Sequence, residues 1–225
     1  MNDYSFIFLI VFQEYYSIIK FIQKRCHFMK TQKPKYKQII DAAVITIAEK
    51  GYHQCQVSKI AKQAGVADGT IYLYFKNKED ILISVFREKL GQFVESLENV
   101  IKEKKKASEK LHLLIENHFR ILSEDNKLAV LTQLELRQTN KELRRQINEV
   151  LKGYLVLIDQ IIEEGMESGE FDAKLDRRLI RQMIFGTIDE TVTTWVMNEQ
   201  KYDLVELAPK VHYMLINGCG HPSKK

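Results

Sequence analysis

Proline is nearly missing from this 225-residue chain: Pro34, Pro209 and Pro222 are all it has, and the 174 residues from Lys35 to Ala208 contain none. Proline fixes φ and removes a backbone donor, so its absence leaves that whole stretch free to be helical. Ten glycines are too few to punctuate the many short strands of a β-sandwich or barrel. The three cysteines, Cys26, Cys55 and Cys219, are odd in number and show no CxxC spacing. They argue against a disulfide framework or a cysteine zinc site, and for a reducing compartment. The apolar run from Phe6 to Phe12 is seven residues, whereas a helical membrane span takes ~20. Three enzyme signatures are also lacking: the GxxxxGK[ST] phosphate loop, GxGxxG and HExxH. His112 and Glu116 share a helix face at i,i+4, which reads as a surface contact. No catalytic residue, metal ligand or cofactor is assigned, and the expectation is not an enzyme.

What is present is helical periodicity. Ile39, Ile40, Ala43, Val44 and Ile47 recur at 3/4 spacing before Gly51, a natural helix stop. Further helices are expected at 57–64, 68–75, 78–106, 108–122, 126–138, 141–166, 176–198 and 203–216. The fold class is therefore all-α: a three-helix head with a helix-turn-helix, then a larger helical body. Charge is partitioned along it. Residues 29–78 hold nine lysines against Asp41, Glu49 and Asp68, a net +6 within an overall +4. That leaves +1 for residues 1–28 and −3 for the rest. A basic head on a slightly acidic body suits a polyanion-binding domain joined to a regulatory one; a solvated lysine-rich surface reads the same.

Residues 1–28 stand apart, with eight of the 22 aromatics. They lack the cationic start and small-residue cleavage site of a secretory signal. The stretch from Met29 reads like the beginning of a soluble protein, so 1–28 is expected to be an extension ahead of the natural start. A membrane-attached reading would rest wholly on it; no membrane partner is expected.

Helix 57–64, the Gly65-Val66-Ala67 turn and helix 68–75 form a helix-turn-helix pattern. Ile60 and Ala61 face inward, Gly65 permits the sharp turn, and Val66 and Ile71 hold the two helices at a fixed angle. The same unit is also a common αα-hairpin. Its residues go further: IAKQAGVADGTIYLYFKNKEDIL, Ile60 to Leu82, resembles the signature of TetR-family transcriptional regulators. Within that family the likeness extends from Met29 to about Gly218, through LTQLELRQTNKELR and RQMIFGTIDETVTTWVMNEQKYDL, to the fatty-acid-degradation repressors of bacilli. The resemblance implies a cytoplasmic homodimer that binds a palindromic double-stranded DNA operator and is released by long-chain acyl-CoA. It also implies the domain plan: 29–78 DNA-binding, 79–106 a connecting helix, 107–220 ligand binding and dimerisation. The alternative within the family is a regulator of a multidrug efflux gene that responds to hydrophobic drugs.

Carried over position by position, the resemblance implies DNA contacts at Ser58, Lys59, Gly69, Thr70, Tyr72, Tyr74, Lys76 and Lys78. Thr70 and Tyr74 match phosphate-bonding positions, and Lys78 a phosphate-anchoring lysine. Two departures stand out. Cys55-Gln56 replaces the usual Thr-Thr, removing the hydroxyl N-cap. Asp68 puts a carboxylate where a neutral or basic residue is common.

For the effector, the expected apolar contacts are Phe119, Leu134, Leu155 and Phe185, with a cationic rim at Arg120, Arg137, Arg144 and Arg145. One recognition helix contacts too few base pairs, so the body must dimerise. The expected face is Gln182, Gly186, Asp189, Thr193 and Met197 on helix 176–198, with Leu207 and Val211 from the last helix. The helix starting at Lys78 is the expected lever between body and head.

Overall fold

The computed structural model describes residues 34–218, apart from 103 and 105. Residues 1–28, the Met29 start, Cys26 and Cys219 lie outside the described residues. Among those described there are nine α-helices, one 3-10 turn and no strand.

The head holds α1 (Pro34–Lys50), α2 (Val57–Gln63) and α3 (Asp68–Ile71). Ile39, Ala43 and Ile47 of α1 are buried against Ile60, Ala61 and Ile71 of the motif. Gly65 adopts φ +64°, a left-handed conformation that costs glycine no Cβ clash. There Val66 N donates to Ala61 O at 3.0 Å and closes the turn. As the sequence foretells, Gln56 makes no side-chain cap on α2. The recognition helix is shorter than expected. It is one helical turn, and Leu73, Tyr74 and Phe75 follow in a turn whose amides still donate to Thr70 and Ile71 carbonyls at 3.0–3.2 Å. Phe75 is drawn into the core, stacked on Tyr36 at 5.1 Å.

The body comprises α4 (Lys78–Ile101), α5 (Ala107–Glu124), α6 (Asn126–Glu135), α7 (Lys141–Glu167), α8 (Arg177–Met197), a 3-10 turn at Val205–Leu207 and α9 (Ala208–Asn217). Asn77, Asp125, Asn140 and Asp176 cap α4, α6, α7 and α8 through their side-chain oxygens. Three ends in the body differ from the periodicity by three residues or more. Helix α4 stops at Ile101 rather than 106, and α6 at Glu135 rather than 138. The single last helix expected from 203 is instead the 3-10 turn followed by α9. Pro209 explains it: inside a continuous helix its ring nitrogen could not bond the residue 205 carbonyl, whereas at a helix start it loses nothing.

Helix α4 is more than a connection. It packs along α7 and α5 and also against α1, while α6 lies against α1 from the other side. The buried apolar residues, from Tyr36 of the head to Val211 of α9, form one continuous cluster. Head and body therefore share a core.

Candidate functional site

The outer surface of the head carries most of the residues singled out by the motif. Ser58, Lys59, Gly69, Tyr72 and Lys76 are exposed, and Thr70 and Tyr74 half-buried. Because α3 lasts one turn, the tyrosines diverge: Tyr72 points outward, while Tyr74 lies 6.3 Å from Tyr36. Asp68 is exposed in the first turn of α3. Leu73 was not singled out from sequence, yet it is 80% exposed, an apolar side chain offered beside the two tyrosines. Its signal was present: it is the outward residue of a Tyr-Leu-Tyr run.

Lys78 sits differently from a free phosphate anchor. Its ammonium donates to the carbonyls of His53 at 3.1 Å and Cys55 at 3.0 Å, and lies 4.5 Å from the Tyr52 ring centroid. Two of its three N–H bonds thus fix the 51–56 loop between α1 and α2. Burial pushes the neighbouring Cys55 thiol up, making it an inert packing group.

The same loop is tied to the body. Tyr52 N donates to Glu135 Oε1 at 2.8 Å, and the second Glu135 oxygen accepts from Gln138 Nε2. Both carboxylate and amide are buried, and Gln138 Oε1 has no hydrogen-bond partner among the described residues. Two ion pairs add to the seam, the half-buried Lys89 with Asp41 at 2.8 Å and the exposed Lys127 with Glu49 at 3.0 Å.

Behind α6 lies an apolar cavity lined by α4 to α8, with a volume of about 40 Å³. Leu90, Phe93, Leu128, Leu136, Leu151 and Phe185 supply its apolar wall. His118 and Tyr154 face it as a bonded pair, Nδ1 to Oη at 2.9 Å. Burial pulls the imidazole down to about 3 and drives the phenol far above its ordinary value. Both are neutral. At one edge Asp189 is ion-paired with Arg137. Burial raises its carboxyl, and the Arg137 charge opposes the rise.

Several expected effector contacts fall elsewhere. Phe185 lines the cavity and Arg137 reaches its edge. Phe119 is core beyond His118, Leu155 is half-buried off the lining, and Leu134 is 46% exposed on the outer face of α6. Arg120 is taken by Glu116 and Arg145 by Glu142, both on the surface, and Arg144 is exposed away from the lining. Long side chains three or four residues from an acid on a helix pair locally before they reach a cavity. The sequence reading missed Leu90, Phe93 and the His118–Tyr154 pair as lining. Each polar ring interrupts an otherwise apolar stripe, Leu111-Leu114-Ile115 on α5 and Ile147-Leu151-Ile158 on α7, which was the available sign.

The residues of the expected dimer face do not share one exposed surface. Asp189 and Thr193 turn inward, Thr193 Oγ1 donating to Gln133 Oε1 at 2.8 Å. Val211 is buried and Leu207 half-buried. Gln182, Gly186 and Met197 are exposed, and the apolar stripe beside them runs through Leu179 and Met183, the latter 60% exposed, with Tyr213 and Met214 of α9 also exposed.

Comparison with known proteins matches both halves. Residues 39–85 fit the model for bacterial regulatory proteins of the tetR family, and 86–218 fit that for the YsiA-like C-terminal region. The chain belongs to the TetR family. The fatty acid metabolism regulator protein of Bacillus subtilis (strain 168) is 68% identical over 190 residues, covering 84% of this chain and 98% of that one. The crystal structure of FadR from Bacillus subtilis in complex with stearoyl-CoA superposes with a TM-score of 0.81 at 68% identity, over 82% of this chain and 100% of that one. FadR from Bacillus halodurans, a fatty acid degradation regulator, gives 0.83 at 61% identity, over 85% and 99%. As a TetR-family member the chain is a DNA-binding transcriptional regulator and not an enzyme. Among the described residues no group of three or more metal-ligating side chains occurs, and no helix is long and apolar enough to cross a membrane.

Proposed function

We propose that the chain is a cytoplasmic, homodimeric repressor of fatty-acid degradation genes that holds a palindromic operator and releases it on binding long-chain acyl-CoA. The observation that carries the regulatory half is the position of α6. One face, with Leu128, Thr132 and Gln133, lines the cavity, and the other packs on α1 and holds Tyr52 N through Glu135.

Ligand pockets usually measure ~300–1,000 Å³, so a cavity of about 40 Å³ must widen to admit an acyl chain. Widening moves the helices that carry the head. The acyl chain is thus a ligand with different affinities for the closed and widened states, which is all a population shift requires. In the dimer the two heads must meet successive major grooves ~34–36 Å apart, and a displaced head loses that register.

The DNA contacts in this reading are Ser58, Lys59, Gly69, Thr70, Tyr72, Tyr74 and Lys76, with Leu73 among them and Lys78 bracing the loop behind. The head is residues up to 78 and the body the remainder, with α4 serving both. The dimer face is the stripe of Leu179, Met183, Gly186 and Met197 with α9.

The test is a gel shift on operator fragments selected from random DNA by the protein itself. Palmitoyl-CoA is expected to weaken operator binding at least ~10-fold, within the usual range of allosteric coupling, and cationic dyes to leave it unchanged. Release by dyes alone would replace the reading with an efflux regulator. Failure to select any DNA would remove both.

A further inference from the structure

The polar side chains that line the cavity are, with one exception, already committed to protein partners. Lys89 is paired with Asp41, and Asp189 with Arg137. Gln133 accepts from Thr193 and bonds Asp189. Thr132 Oγ1 donates within its own helix, to Leu128 O and Ala129 O at 2.9 and 3.0 Å.

The exception is the His118–Tyr154 pair. A neutral imidazole and a phenol own two polar hydrogens between them, one N–H and one O–H. Only one lies in the 2.9 Å bond that joins them. If Tyr154 donates to Nδ1, the Nε2–H is left over; if Nδ1 donates, the Tyr154 O–H is left over. Either way the pair retains one donor, and no second hydrogen-bond partner for it occurs among the described residues.

The surroundings restrict what that donor can serve. The Phe93 ring meets His118 edge-on at 4.9 Å and Tyr154 at 5.4 Å, and Phe185 closes on Tyr154 at 6.1 Å. His118 is 9% exposed and its residual surface faces the cavity. In so apolar a setting the pair stays uncharged, so an anionic ligand group placed there would be buried without a counter-charge. A neutral acceptor is matched: a carbonyl oxygen on an aliphatic chain.

We infer that His118 and Tyr154 form the subsite for the acyl carbonyl of the thioester effector, donating their spare hydrogen to its oxygen and selecting an acyl thioester over both a free carboxylate and a carbonyl-free chain. The inference rests on the effector class proposed above and adds the point at which that class is recognised. The tautomeric freedom of the pair lets either Nε2 or the Tyr154 oxygen be the donor, so the carbonyl is accommodated as the cavity widens.

The experiment compares palmitoyl-CoA with S-hexadecyl-CoA, in which a methylene replaces the carbonyl, by titration calorimetry on the full chain. The parent is expected to bind palmitoyl-CoA about tenfold more tightly, the usual worth of one buried hydrogen bond. In the double variant His118→Phe/Tyr154→Phe, which removes both donors, the two ligands should bind within twofold of each other, and in His118→Gln/Tyr154→Phe, which keeps an N–H donor, part of the preference should return. His118→Leu/Tyr154→Phe repeats the test if the phenylalanine at 118 is not accepted, with operator binding and thermal melting confirming the fold. A merely structural pair would weaken both ligands equally in the variants and preserve their ratio, which would overturn the inference. A parent that binds both ligands equally would also overturn it, leaving the effector class intact. A parent that binds neither would overturn the effector class and this inference with it.

Discussion

His118 is a base held without its proton, and that has a measurable cost in acid. The unfolded chain takes up a proton near the ordinary 6.5, whereas the folded imidazole resists protonation down to about 3 because burial disfavours its charge. Between those values the unfolded state binds more protons, so stability is whole above 6.5 and falls as the pH drops through the window. The slope from this one group is at most ~1.4 kcal/mol per pH unit. His118→Phe should flatten that limb in urea unfolding series at pH 7, 6 and 5. The shallower contribution of His212, also depressed by burial first, remains in both proteins. An unchanged slope would show that the folded imidazole titrates normally. At this scale the sequence was most readable where structure is local. Gly65 and Val66 build the turn with bonds spanning three to five residues, so their pattern alone foretold it. Lys78 was not readable in the same way, because its partners at His53 and Cys55 lie 25 and 23 residues back.

Helix α8 shows how an element can be placed correctly and still be rotated. Its existence and ends follow from periodicity, with the Asp176 carboxylate accepting from the Arg178 and Leu179 amides at 2.8 and 3.1 Å. Which of its faces turns outward depends on partners drawn from α6 and the turn that follows it. Asp189 and Thr193 are short and polar and look suited to a surface, yet Arg137 and Gln133 pull them inward. The face left outside carries Leu179 and Met183, and hydrophobicity alone could not separate that stripe from the core stripe of Ile184, Ile188 and Trp195. A glutamate at the centre of the outer stripe is the decisive change. Met183→Glu should weaken the dimer at least ~100-fold, since it buries two uncompensated like charges across a two-fold axis. Sedimentation velocity would show a shift to monomer, with operator binding lost in parallel. A variant still dimeric at low micromolar concentration would place the interface elsewhere.

Across the whole molecule, one core links the surface proposed to face DNA to the cavity behind α6, and Glu135 stands between them. Its two oxygens hold the Tyr52 amide of the head and the Gln138 amide of the body. Glu135→Ala leaves both donors buried and unpaired, a loss of about 1–3 kcal/mol per donor, readable as a lower melting temperature. It should also cut the ratio of operator affinities with and without palmitoyl-CoA, because the carboxylate joins the moving helix to the loop behind α2. A variant that melts early but keeps the full ratio would assign the coupling to the Lys89–Asp41 and Lys127–Glu49 seam instead. The cavity itself was invisible in the sequence for a plain reason: five helices each contribute two or three side chains, and no single stripe encodes a space. Its small volume sets the tempo of the response. A chain cannot enter 40 Å³ until the helices part, so association is governed by how often they open rather than by how often ligand arrives. Above a certain effector concentration the rate of operator release should cease to climb, and the gene's reaction time to a surge of fatty acid becomes a property of the protein's own breathing.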